Sequence, residues 1–244
     1  MIESNSPKYK VVGTRPIRHD GLDKVTGRAV YGADVSITGM LHGRILRSPY
    51  AHALIKSIDT SKAEVFPGVR AVVTSQDFPI AKDKREDFSD ASLRIRYLSE
   101  NVLASQKVLY KGHAVAGVAA INPHVAEEAL KLIEVEYQPL PSVTNVEDSI
   151  QGNAPLLHDH LMTDDLGEKT KSASNIAKHF QFLKGNPEQA FNKADVVKER
   201  EFRTASVHQG YIETHNSTAR WASDGHITIW CSTQGSFEVR SLVS

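Results

Sequence analysis

The 244-residue chain has 40% hydrophobic and 24% charged residues, ordinary globular proportions that let one large domain or two smaller ones bury a core. Its 29 basic residues balance 29 acidic ones, so no overall field draws it to nucleic acid or to an anionic membrane. The single cysteine, Cys231, excludes an internal disulfide framework and any multi-cysteine iron–sulfur or zinc site built from this chain alone, and the polar start with no run of ~18 apolar residues predicts a cytoplasmic chain that stays out of the membrane.

From residue 40 the pattern is β-type. MLHGRILRS, AHALIKSID and VRAVVT read as strands, and Thr60 to Gly68 suits a short helix that Thr60 caps and Pro67-Gly68 stops. Residues 75–106 are charge-rich and read as irregular. Lys107 to Lys111 and Ala114 to Ile121 then read as two buried strands flanking Gly112-His113, their small residues implying close packing.

Asn122-Pro123 predicts a helix start, because the amide caps orphan N–H groups and proline at the first helical position loses nothing. Val125, Ala126, Ala129, Leu130 and Ile133 recur at helical spacing, so the helix is expected to run to about Ile133 with one face on a sheet. Glu134 to Tyr137 alternates as a strand that Pro139 and Pro141 end, closing an α+β unit near residue 140.

Residues 142–180 show little periodicity and read as a long connector. Pro187 to Ala194 predicts a short helix, Val196 to Thr204 a strand, and Ser217 to Ser232 a hairpin turning at Asp224-Gly225 through a type I′ turn.

Several runs occur in a fixed order: Arg15-Pro-Ile-Arg-His-Asp20, Lys24 to Tyr31, Gly39 to His52, Ser57-Ile-Asp59, Phe66-Pro-Gly-Val69, Val108 to Ala116, Ile133 to Tyr137, His208-Gln-Gly-Tyr-Ile-Glu213 and Cys231-Ser-Thr-Gln234. In this order they resemble the N-terminal part of the molybdenum-cofactor-binding subunit of the xanthine dehydrogenase/aldehyde oxidase family of molybdenum hydroxylases. The resemblance implies an N-terminal extension over 1–19, an a/b hammerhead domain over 20–140, a connector over 141–185, and the incomplete beginning of an α+β molybdopterin-binding region over 186–244.

The same resemblance implies oxidation of a carbon centre with oxygen from water, on a molybdenum–molybdopterin cofactor shared with a partner chain. Iron–sulfur clusters and FAD are expected only on partner subunits. The glycine-rich pterin-contacting segment and the catalytic glutamate belong to a later part of the family pattern than Ser244, so no catalytic residue is assigned here. The expectation is an incomplete enzyme subunit, inactive alone, that needs a chain carrying the rest of the domain. The other reading, from a different class, is a non-catalytic remnant acting as an assembly module.

Gln234 matches the family glutamine beside the molybdenum oxo group, where a neutral amide donates a hydrogen bond without adding charge. Glu213-Thr-His215 stands where the family usually reads Glu-Pro-His; Thr214 frees the backbone that proline would fix, and Glu213 and His215 are read as hydrogen-bonded structural residues. His158 and His160 are read as solvated loop histidines with no metal assigned, and His113 as a satisfied turn histidine. Asn216-Ser-Thr218 fits a glycosylation sequon, with nothing else marking secretion.

Overall fold

A computed structural model describes residues 9–80, 85–88 and 91–244. The first residues of the expected N-terminal extension, and parts of the charge-rich stretch between residues 75 and 106, lie outside the described residues. By its internal contacts the chain divides into two units, Gly39–Ala205 and a second made of the chain up to Thr38 together with Ser206–Ser244.

In chain order, α1 (Gly21–Val25) is a single turn preceded by Asp20, whose carboxylate pairs with Arg18 and Lys24. Strands β1 (His42–Arg47), β2 (Ala53–Asp59) and β3 (Val69–Thr74) follow, with helix α2 (Ser61–Glu64) between the last two. These fall where the apolar runs predict them. A short hairpin, β4 (Arg85–Phe88) and β5 (Ala91–Arg94), leads into helix α3 (Ile95–Val102).

Then come β6 (Lys107–Val108), β7 (Ala114–Ala120), α4 (Pro123–Leu130) and β8 (Glu134–Pro139). Beyond them lie α5 (Val146–Ser149), β9 (Met162–Asp165), β10 (Glu168–Ala173), β11 (Lys178–His179) and α6 (Pro187–Lys193). The chain continues through β12 (Ser217–Trp221), β13 (Ile227–Cys231) and α7 (Ser236–Val243).

The larger unit is α+β and is organised around β7. One antiparallel sheet has the order β1-β7-β3, and a second, β6-β2-β8, is antiparallel as well. Ala116, Val118 and Ala120 of β7 join Ala126, Ala129 and Ile133 in one core, with Ala63 of α2. Val115 joins Ala53, Ala104 and Val108 in another, and Ile58 and Val135 pack against both. Side chains of adjacent strand residues point to opposite faces, so β7 is buried on both sides, which is why it reads as an unbroken apolar run.

Helix α4 starts as expected: the Asn122 side chain accepts from the Val125 N–H at 2.8 Å and Pro123 opens the first turn. Its α-helical part stops at Leu130, three residues early. The N–H groups of Lys131, Leu132 and Ile133 bond carbonyls three residues back, so the end tightens while Ile133 still reaches the core.

His113 is fully buried and joins three pieces of chain. Its Nδ1 accepts from the Leu109 N–H at 3.1 Å, its Nε2–H donates to the Glu100 carbonyl at 3.0 Å, and its ring stacks on Tyr110. The Glu100 carbonyl sits in the last turn of α3, where carbonyls lack intrahelical donors. The satisfied turn histidine expected from sequence is what the structure contains.

Several expectations need correction. The stretch after residue 75 holds α3, which Arg94 enters without a side-chain cap, so the helix carries no start signal; an Arg96–Glu100 pair at 3.3 Å, one turn apart, supports it. Within the stretch expected to be an irregular connector, a three-stranded sheet of order β10-β9-β11 is held by hydroxyls. Buried Thr163 donates to the Ile176 carbonyl at 2.7 Å and contacts the Ser174 hydroxyl at 2.6 Å. Such a sheet leaves no apolar alternation to detect.

Val196 to Thr204, five of whose nine residues are charged, has no ladder partner among the described residues and is not a strand. The β12–β13 hairpin forms, yet its turn differs from the expected type I′. Gly225 N–H bonds the Ala222 carbonyl at 3.0 Å and Ala222 N–H bonds the His226 carbonyl at 2.9 Å; of the loop residues only Gly225 has positive φ. This is a three-residue loop with a glycine bulge, and Asp224 stabilises it by accepting from the His226 N–H at 3.0 Å. The two-residue turn with two positive φ values lies instead at Leu166-Gly167, φ 50° and 97°, between β9 and β10.

Replacing His113 with alanine strands the Leu109 N–H and the Glu100 carbonyl in the core, and denaturant titration is expected to show a loss of about 2–3 kcal/mol. Burial also holds the His113 imidazole below its ordinary value of 6.5, so the unfolded chain takes the proton first. Its contribution is complete above pH 6.5 and declines as pH falls toward the lowered value; in His113→Gln this part of the pH dependence disappears. At Leu166 the left-handed backbone penalises a branched-chain residue by about 1 kcal/mol, so Leu166→Asn is expected to raise the melting temperature, and a lower one would contradict the turn geometry.

Candidate functional site

Gln234 lies in the turn between β13 and α7, in the smaller unit. The turn is tied by the Gly235 N–H donating to Thr233 Oγ1 at 3.0 Å, and α7 begins beyond it with no side-chain cap. Gln234 is exposed, and among the described residues no hydrogen bond engages its amide. It is a neutral donor held on a short backbone and not committed elsewhere.

What fixes that turn is the end of the hairpin. The Asn216 N–H donates to Ser232 Oγ at 3.1 Å and the Ser232 N–H donates to the Asn216 carbonyl at 3.2 Å, one position beyond the last ladder pair, Ser217↔Cys231. The Glu213-Thr-His215 segment and the Cys231-Ser-Thr-Gln234 segment therefore meet at one end of the same hairpin, although the sequence separates them.

A third segment reaches the same place. Gly32, one residue past the Lys24 to Tyr31 run, lies so close to Asn216 that a Cβ on it would collide with Oδ1 of that side chain. Asn216 Oδ1 is buried and has no hydrogen-bond partner among the described residues, and the residue sits at the start of a strand, which is not the exposed loop the sequon suggests. Sequence patterns point to none of Gly32, Asn216 and Ser232 in this role. Their signal is a pairing between chain-distant segments, which no local pattern carries.

Among the described residues Glu213 and His215 make none of the hydrogen bonds expected of them. Among the described residues His215 is held by an edge contact with Tyr211 at 4.9 Å, and Tyr211 in turn touches His208 at 4.9 Å; Glu213 is exposed. The segment from Ser206 to His215 adopts no regular structure.

Beside this hairpin the smaller unit forms an open cleft of about 1180 Å³, lined by Val30, Val35, Ile229, Trp230, Val239 and Val243 among others. Thr233 and Ser236 reach it; Gln234 between them does not line it.

In the larger unit the two connector histidines are not solvated as expected. His158 Nδ1 lies 3.0 Å from Glu100 Oε2 and His160 Nε2 lies 3.5 Å from Glu100 Oε1, while the Tyr97 ring stacks on His160 and meets His158 edge-on. Burial pushes the His160 imidazole below its ordinary value, against the pull of the Glu100 carboxylate. Glu100, in the helix that carries no sequence signal, is the residue that makes the pair a group of three.

Known proteins resemble the chain along most of its length. Residues 26–141 match the family description "aldehyde oxidase and xanthine dehydrogenase, a/b hammerhead domain", and residues 169–244 match "molybdopterin cofactor-binding domain". The chain is 35% identical to a probable xanthine dehydrogenase subunit of Bacillus subtilis over 92% of its own length and 27% of that protein. It is 33% identical to the carbon monoxide dehydrogenase large chain of Afipia carboxidovorans over 97% of its length and 29% of that protein. It thus spans under a third of either relative.

Among solved structures, the reconstituted CO dehydrogenase from Oligotropha carboxidovorans aligns over 95% of this chain and 28% of that chain, with a TM-score of 0.77 and 33% identity. Quinoline 2-oxidoreductase from Pseudomonas putida aligns over 93% of this chain and 27% of that chain, with a TM-score of 0.74 and 30% identity.

The Gly32–Asn216 contact can be tested directly. Gly32→Ala is expected to destabilise the smaller unit by about 1–3 kcal/mol through the clash with Asn216, and Gly32→Ala combined with Asn216→Ala to recover most of that loss. Additive effects in the double-mutant cycle would mean that the two residues do not touch.

Proposed function

Since the chain belongs to the xanthine dehydrogenase/aldehyde oxidase family of molybdenum hydroxylases, corresponding to the N-terminal portion of their cofactor-binding subunits, we propose that it is a component of a cytoplasmic oxidoreductase that supplies the scaffold and one cofactor-facing amide of the molybdenum site. When bound, molybdenum–molybdopterin supplies two-electron oxidation of a carbon centre with oxygen taken from water.

The observation that carries it is the convergence at the end of the β12–β13 hairpin. The Asn216–Ser232 bonds and the packing of Gly32 fix the strand ends, so the Gln234 turn is held while its amide stays open. A primary amide donates a hydrogen bond without carrying charge, so it can orient an oxygen ligand without shifting the electrostatics of a redox centre as a lysine or an arginine would. The residues present therefore fit the group.

The rest of the site comes from residues outside these 244, on this chain or on another, with iron–sulfur and FAD subunits as electron acceptors. The surface fits that division. Among the described residues none after Thr163 is buried, and Phe202, Trp221 and Phe237 are strongly exposed, a distribution expected of a surface that packs against more protein. The substrate is left at its class, an oxidisable carbon centre.

The second reading, a non-catalytic assembly module, draws on the loose Ser206–His215 segment with its Thr214. One experiment separates the two. In the assembled holoenzyme, Gln234→Ala is expected to lower kcat by roughly 10–100-fold while molybdenum content and subunit stoichiometry stay as in the parent, because an outer hydrogen bond tunes the centre and adds little to the fold. Unchanged turnover would remove Gln234 from the site and favour the assembly module.

A further inference from the structure

We propose that Glu100, His158 and His160 form a binding site for a single zinc ion that clips helix α3 to the segment ahead of β9. The donor atoms stand near the spacing that a tetrahedral ion needs. All lie within 4.8 Å of one another, with His158 Nδ1 at 3.0 Å from one carboxylate oxygen of Glu100 and His160 Nε2 at 3.5 Å from the other. Ligands about 2.0–2.2 Å from a tetrahedral zinc are separated by roughly 3.3–3.6 Å, so small rotations suffice.

A second observation points to a missing bonding partner. His160 Nε2 is shielded from solvent and has no hydrogen-bond partner among the described residues, although it faces the carboxylate. A buried ring nitrogen with nothing to bond is unfavourable, and a metal would satisfy it. The rings are also held in place: Tyr97 stacks on His160 with an interplanar angle of 9° and meets His158 at 66°.

The donor set selects the ion. Two imidazole nitrogens and one carboxylate oxygen suit a borderline-soft divalent metal such as zinc, whereas calcium and magnesium take oxygen ligands. A cleft of about 90 Å³ at these residues leaves room for water in the fourth position. Arg96 is the competitor, bonded through Nε to Glu100 Oε1 at 3.3 Å and lying 3.5 Å from His160 Nδ1. Its side chain is 44% exposed, so it can turn outward when the metal enters. Lys107, the other nearby cation, is taken up by Asp159 and the Leu156 carbonyl.

The test is competition calorimetry of chelator-treated protein with zinc alone, together with X-ray absorption of the zinc-loaded protein. One equivalent is expected to bind with a shell of two imidazoles and light oxygen or nitrogen atoms, and to raise the melting temperature. Glu100→Gln, His158→Ala and His160→Ala are each expected to weaken binding on the order of tenfold or more, with unchanged far-UV circular dichroism in the metal-free state. Should an alanine variant misfold, His160→Gln and the absorption spectrum of the parent still decide. Failure to bind one equivalent, a zinc shell without imidazole, or equal affinity in all variants would overturn the proposal.

Discussion

The double burial of β7 sets the terms for the larger unit. A strand covered on both faces must satisfy its backbone through neighbours on both edges, which β1 and β3 provide, and must present side chains small enough for layers to close on it. Ala114-Val-Ala-Gly-Val-Ala-Ala120 does this with nothing larger than valine. At Gly117 even a methyl group would press on Val73 at 3.2 Å and on Ile45 at 3.4 Å. Helix α4 can approach closely because its own buried residues are Ala126 and Ala129. Packing of this kind resists change in either direction, since a larger side chain has no void to enter and a smaller one leaves a gap.

Where local chemistry decides structure, the sequence is legible. The β3 run, the Asn122-Pro123 start of α4 and the Pro187 start of α6 stand where capping and apolar periodicity put them. Where partners decide, it is not. Helix α3 lacks a capping side chain, the β10-β9-β11 sheet is pinned by hydroxyls instead of an apolar face, and Val196–Thr204 has two valines and a phenylalanine but no neighbouring strand among the described residues. The Asp-Gly hairpin shows a finer limit: both turn types accept Asp-Gly, and only the hydrogen-bond register chooses between them.

The candidate site divides along the same line. An ordered set of motifs leads to Gln234, while the part that Gly32, Asn216 and Ser232 play in holding its turn stays silent, because each acts through a partner far away in the sequence. Function on this scaffold thus rests on two kinds of residue. One, Gln234, is proposed to meet the cofactor and is found by its place in the ordered family motifs. The others act only by fixing backbone, and their importance becomes visible when chain-distant segments are seen side by side.

The smaller unit is discontinuous, since the chain up to Thr38 is completed by Ser206–Ser244 with the whole larger unit inserted between them. During synthesis the larger unit has all its strands once the ribosome has passed residue 205, whereas Gly32 in the early segment must wait for Asn216 before its partner exists. Closing so long a connection is slow, and the order of events is dictated by topology, independent of how stable the finished hairpin is. Translation speed through the insert therefore sets how long the early segment waits for its partner.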